Sequence, residues 1–122
     1  MNNLLSQAES HVADDLVAQA RDDRDAFGKL YDLIYPPVFR YCIRRMGHRS
    51  LAEDVTSAVF LHVAEKIAGF PGRTFQDFRR WVFAIATNET NATFRKTTRR
   101  QSLLIDAAQS ERLGTLWLST ER

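Results

Sequence analysis

A chain of 122 residues with 44% apolar side chains has material for one compact domain with a genuine core, and too little for several. Its single cysteine, Cys42, excludes an internal disulfide; with no basic, apolar leader at MNNLLSQAESH and no later segment of membrane-spanning length, the chain reads as cytoplasmic, without membrane insertion. The formal charge of +2 conceals a division, because residues 1–28 hold two basic against six acidic side chains and residues 73–100 hold seven against two. Such a split suits partners of different charge, and equally two ordinary solvated faces.

Apolar residues recur at three- and four-residue spacing and no useful strand-like alternation occurs, which predicts an all-α fold, a compact helical bundle of about four helices. The first helix is expected over roughly Val12 to Arg21, with Val12, Leu16 and Val17 facing inward. The second spans about Asp25 to Met46, carrying Phe27, Leu30, Ile34, Val38, Tyr41 and Ile43. Pro36 and Pro37 remove backbone donors and are expected to break or kink it. Cys42 lies in this apolar run, as a core residue would.

Gly47 is placed to close the second helix, and Ser50-Leu51-Ala52-Glu53 has the form of a capping box for a third. Leu51, Val55, Val59, Val63 and Ile67 follow at steps of four, and Gly69 ends that helix. The loop Phe70-Pro71-Gly72-Arg73 leads to Thr74, a natural N-cap for the last helix. On it Phe78, Trp81, Val82 and Ile85 share a face at 100° per residue, with Asn88 at the margin and Asn91 and Arg95 on the adjoining flank. Arg95, Lys96, Arg99 and Arg100 form a basic end.

The stretch FPGRTFQDFRRWVFAIATNETNATFRKTTRR, Phe70 to Arg100, thus joins a Gly/Pro loop to a helix with aromatics early, asparagines midway and cations last. Cations neutralise phosphates, and aromatic faces and amide edges engage exposed bases, so these residue types in this order suit nucleic acid. Each has a blander role: Trp81 on the apolar face packs, Asn88 makes an internal hydrogen bond or cap, and the terminal cations favour the helix dipole. No HExxH, Cys-x-x-Cys or phosphate-cradling glycine motif is present, and His11, His48 and His62 are scattered. The residues therefore suggest no catalytic group, no cofactor and no metal site.

Phe78-Arg79-Arg80-Trp81-Val82-Phe83-Ala84-Ile85-Ala86-Thr87-Asn88, with Phe94-Arg95-Lys96 beyond, resembles the signature helix of bacterial RNA polymerase sigma factors. The nearest group is the extracytoplasmic-function (ECF) sigma factors, in region 2. Leu51 to Leu61 resembles that family's core-binding helix, and Asp25-Ala26-Phe27 with Leu30-Tyr31 and Tyr35-Pro36 its opening helix. The resemblance covers about residues 22–100. It implies a transcription initiation factor domain, not an enzyme, over residues 1–100, with 101–122 a linker or short C-terminal helix and region 4 absent.

The resemblance further implies two contact sets. Asp54, Ser57, Ala58, Leu61 and His62 correspond to the surface that docks on the beta-prime coiled coil of core RNA polymerase. Phe70, Arg73, Thr74, Phe75, Arg80, Trp81, Asn88, Asn91, Arg95, Lys96, Arg99 and Arg100 correspond to the surface that recognises and melts the promoter minus-ten element. In ECF members the loop captures a base extruded from the non-template strand, a step that must offset a few kcal/mol of unstacking. Many members are held by an anti-sigma factor, a further possible partner. Ser57-Ala58 replaces the usual Gln-Glu, which thins the docking chemistry. An alternative is therefore a sigma-fold interaction module that binds or titrates an anti-sigma factor without promoter function.

Overall fold

In the computed structural model the backbone is described for residues 2–120 and the side chains for Glu9 and residues 11–111. The described residues form α1 (Asn2–Gln19), α2 (Arg24–Met46), α3 (Arg49–Lys66), a single 3₁₀ turn at Ile67–Gly69, and α4 (Phe75–Thr120). The all-α expectation holds. The chain divides into two units, residues 1–90 and 91–122.

The core of the first unit is built from inward rows at helical spacing. They are Val17 from α1 and Ala20 just after it, Leu30, Ile34, Val38 and Cys42 from α2, Ala52, Val55, Val59 and Val63 from α3, and Phe78, Val82 and Ala86 from α4. Each fully buried Leu, Ile, Val or Phe contributes about 1.5–3 kcal/mol. Two buried hydroxyls keep hydrogen bonds within their own helices: Thr56 donates to the Ala52 carbonyl at 2.7 Å and Thr90 to the Thr87 carbonyl at 3.0 Å. Burial pushes the Cys42 thiol above its ordinary value, against opposing effects of Thr56 and Arg45.

Three local expectations are corrected. Val12 is 62% exposed, because the inward row of α1 is Ala13 and Val17, with Leu16 beside it and Ala20 just beyond the helix end. Pro36 and Pro37 do not break α2, which runs through both. The carbonyls that lose an amide partner belong to Asp32 and Leu33, both exposed residues, so water can satisfy them. The capping box at Ser50 is displaced: Gly47 turns left-handed at φ 67°, His48 follows in extended conformation, and its Nδ1 accepts the Leu51 N–H at 3.4 Å. Ser50 therefore lies inside α3, and Glu53 pairs with Arg49 at 3.1 Å. Residues 101–120 are helical, within α4.

Asp23 caps α2, its carboxylate accepting the Asp25 N–H at 2.9 Å, and Gly47 closes that helix as anticipated, its N–H donating to the Ile43 carbonyl at 2.9 Å. In the second unit Leu103, Leu104 and Ile105 are exposed. Leu113, Leu116, Trp117 and Leu118, within the expected 101–122 segment, lie outside the described side chains.

Candidate nucleic-acid interface

The loop between the 3₁₀ turn and α4 is held by its own aromatics. Phe70 is only 6% exposed; its ring stacks on Trp81 at 4.7 Å between centroids and meets Phe78 edge-on at 6.0 Å. Phe70 is thus a core residue that supports the loop, and its face is not presented to a base. Trp81 is half-buried by the same stack, so its principal role here is packing.

Thr74 caps α4 as expected. Its hydroxyl accepts the Asp77 N–H at 3.0 Å and its carbonyl accepts the Phe78 N–H at 3.1 Å. Asp77 reaches back, its Oδ2 accepting the Arg73 N–H at 3.5 Å. The Phe75 ring lies half-buried against Phe78, and its N–H donates to Asp14 Oδ1 at 2.6 Å. With Phe70 and Phe75 turned inward, Arg73 and Thr74 are the exposed side chains among the four loop candidates.

Beyond the loop, Arg80 and Asn88 are exposed on α4. Asn88 lies off the buried row Phe78, Val82, Ala86 and Thr90, so the expected margin position becomes a solvent position. In the second unit Asn91 is half-buried, while Arg95, Lys96, Arg99 and Arg100 are all exposed.

A separate surface lies on α3. Asp54, Ser57 and Leu61 are exposed and Ala58 is half-buried. At 100° per residue these four span an arc of about 100° opposite Val55, Val59 and Val63. Leu61, 61% exposed, is a large apolar side chain in the middle of that ridge. His62 stands at its edge with Nε2 2.7 Å from Glu89 Oε1, which ties α3 to α4.

The family model for Sigma-70 region 2 matches residues 30–100, the span that carries both the α3 ridge and the loop with the α4 basic end. The chain belongs to the sigma-70 region 2 family. It is 36% identical over 105 residues to the ECF RNA polymerase sigma factor BldN of Streptomyces coelicolor, a match covering 80% of this chain and 39% of that protein. It is 30% identical over 76 residues to the ECF RNA polymerase sigma factor SigW of Bacillus subtilis, covering 62% of this chain and 40% of that protein. The chain thus spans about two fifths of the length of these relatives. No solved structure matches.

Sequence reasoning missed a cluster in this region 2 domain that locks α2 to α4. Arg45 donates to the Tyr41 hydroxyl at 3.1 Å, Tyr41 and Thr87 hydroxyls lie 2.9 Å apart, and Thr87 donates to the Phe83 carbonyl at 2.9 Å. Either hydroxyl can donate in the Tyr41–Thr87 bond, and together these contacts form one connected chain from Arg45 to the Phe83 carbonyl. Phe83 meets Tyr41 edge-on at 5.5 Å, and the Arg79 guanidinium lies 4.8 Å over the Phe83 ring. Burial pushes the Tyr41 phenol up, but hydrogen bonds with Thr87, Arg45 and Thr90 outweigh it and leave the phenol below the usual tyrosine value. The i, i+4 spacing of Tyr41 and Arg45 was the available signal. A second aromatic row, Tyr31, Tyr35 and Phe39 of α2, packs at Phe60 of α3, with Tyr31 and Phe60 centroids 4.6 Å apart. Among the described residues no group of three or more His, Cys, Asp or Glu is placed to hold a metal ion, and no helix is long and apolar enough to cross a membrane.

Proposed function

We propose that the chain acts as the region 2 domain of a transcription initiation factor of the ECF group. It binds core RNA polymerase and stabilises the opened minus-ten element of a promoter. The observation that carries the reading is the family match over residues 30–100, with the candidate docking residues Asp54, Ser57, Ala58 and Leu61 on the solvent side of α3.

The polymerase contact is through that ridge, on the beta-prime coiled coil. Leu61 supplies apolar area and Asp54 a charge; Ser57 and Ala58 present a smooth, small-residue surface between them. DNA contact divides by chemistry. Arg73 and Thr74 of the loop, with Arg80 and Asn88, engage base and sugar-phosphate groups, and Arg95, Lys96, Arg99 and Arg100 neutralise phosphates. Bond making belongs to the polymerase; the domain lowers the free energy of opened DNA. The experiment is strand preference. With the chain assembled on core RNA polymerase, fluorescence anisotropy compares the non-template single strand of a promoter, its complement and the closed duplex. Preference for the non-template strand supports the reading, and equal binding to all three would refute strand capture.

A further inference from the structure

The loop that carries Arg73 and Thr74 is fastened at both ends, to α1 and to the turn that follows it. On one side the Arg21 guanidinium donates through Nη2 to the Gly72 carbonyl, a contact between residues 51 apart in sequence. On the other, Asp14 Oδ1 accepts the Phe75 N–H at 2.6 Å, 61 residues apart. Both residues precede the family match at 30–100. Thr74 caps α4 through the Asp77 N–H, and Asp14 supplies a long-range acceptor for the helix's first amide, which the Thr74 cap does not reach. Arg21 Nε is buried and finds no acceptor among the described residues, so the side chain is held in place by its reach to Gly72 and leaves a donor unsatisfied.

The segment between these fastenings is Gly72 to Phe75, so its two exposed side chains, Arg73 and Thr74, lie between two fixed backbone points. The third constraint is steric: at Gly72 the backbone passes so close to the Phe70 ring and Asp77 Cβ that a side chain there would have to displace them. A base-reading pair must be held to within a fraction of an ångström to discriminate one base from another, and short loops do not supply that rigidity themselves.

We propose that Asp14 of α1 and Arg21 of the turn after it are positioning residues for base selection: they hold the Gly72–Phe75 segment in the geometry that lets Arg73 and Thr74 read one base. The proposal rests on the proposed function, in which this loop captures a base. It extends the recognition apparatus to a helix outside the matched region, and assigns α1 a role beyond covering the core.

The test is selection from a pool of single-stranded oligonucleotides with a randomised central segment. The full chain is assembled on core RNA polymerase, and the enrichment of core alone is subtracted. The unaltered chain should enrich a motif. Arg21→Ala should lower the favoured base at one motif position by about fivefold or more, the scale of a single lost base contact. Its neighbours and the salt dependence should stay unchanged. Arg21→Lys, which keeps one donor for Gly72, should restore part of the preference. Asp14→Ala should lower the same position and carries the test alone if Arg21→Ala fails to fold by circular dichroism, since Asp14 is half-exposed and outside the core. Wild-type enrichment in the folded variants would overturn the proposal. So would a uniform loss over all positions, the mark of a merely structural role. If the unaltered chain enriches nothing over core polymerase, the base-capture reading itself falls, and this inference falls with it.

Discussion

Gly72→Ala tests how tightly the loop is closed. A Cβ at Gly72 would stand 2.8 Å from Phe70 Cε1 and 2.9 Å from Asp77 Cβ, and closer still to Phe70 Cζ. Carbon atoms pack comfortably at about 3.5–4.0 Å, so the ring would have to retreat by roughly 1 Å. A ring tip can often swing aside, but Phe70 is 6% exposed and held between Trp81, stacked at 4.7 Å, and Phe78 at 6.0 Å. Overpacking at such a site costs about 1–3 kcal/mol. For a cooperative unit of this size that lowers Tm by about 4 °C at the least and by more than about 20 °C at the upper end. Gly28→Ala is the matching control, because nothing lies within 4 Å of its Cβ and it sits in the interior of α2; relief of glycine's backbone entropy should raise stability by about 0.5–1 kcal/mol. Thermal unfolding by circular dichroism reads both. Tryptophan emission in a Trp117→Phe background reports on the Phe70–Trp81 stack. An unchanged Tm and emission for Gly72→Ala would show that the loop yields freely, and the steric argument would be wrong.

Thr74→Ala should cost about 1 kcal/mol by removing the α4 cap, and an unaltered Tm would mean that Asp77 or water caps the helix equally well. Arg95→Ala with Lys96→Ala should weaken promoter single strand for every sequence and reduce the slope of log K against log salt by about 1.4, at about 0.7 per phosphate; an unchanged slope removes them from the phosphate contacts. The phenols should ionise in a set order: Tyr41, lowered from 10.0 by hydrogen bonds that overcome its burial, before Tyr31, raised chiefly by burial and then by Tyr35 and Asp32. Any stability from the Tyr41 shift is absent at neutral pH and appears as pH rises through its lowered value, being complete above the ordinary one. Ultraviolet titration of Tyr41→Phe and Tyr31→Phe should delete the earlier and later of these two phases respectively, and the reverse assignment would contradict the hydrogen-bond chain.

The helices were legible wherever one inward row repeated at steps of four, as at Val55, Val59, Val63 and Ile67 or Leu30, Ile34 and Val38. Gly47 and Thr74 were legible because a helix end advertises itself locally. The prolines misled because the broken bonds involve exposed residues, where water substitutes, and a rule for helix interiors overstates their cost. Ser50 misled because the capping position depends on where the left-handed Gly47 releases the chain, which the capping pattern alone does not specify. The site was least legible in its loop. Phe70 entered the site through its place in the loop that the resemblance aligns with base capture, yet its ring stacks on Trp81 of the next helix and is buried. The fastenings from Asp14 and Arg21 span 61 and 51 residues, and no periodicity reports contacts at that range. The Tyr41–Thr87 bond, 46 residues apart, was hidden for the same reason.

The most direct measurement is binding to bacterial core RNA polymerase, with Asp54→Ala and an excess of an established sigma factor as controls. Asp54 is exposed on the α3 ridge, so its loss leaves the fold intact and removes one docking charge. The account predicts saturable binding that the competitor displaces and Asp54→Ala weakens. A folded chain that does not bind core polymerase would contradict the initiation role and leave a sigma-fold interaction module in its place.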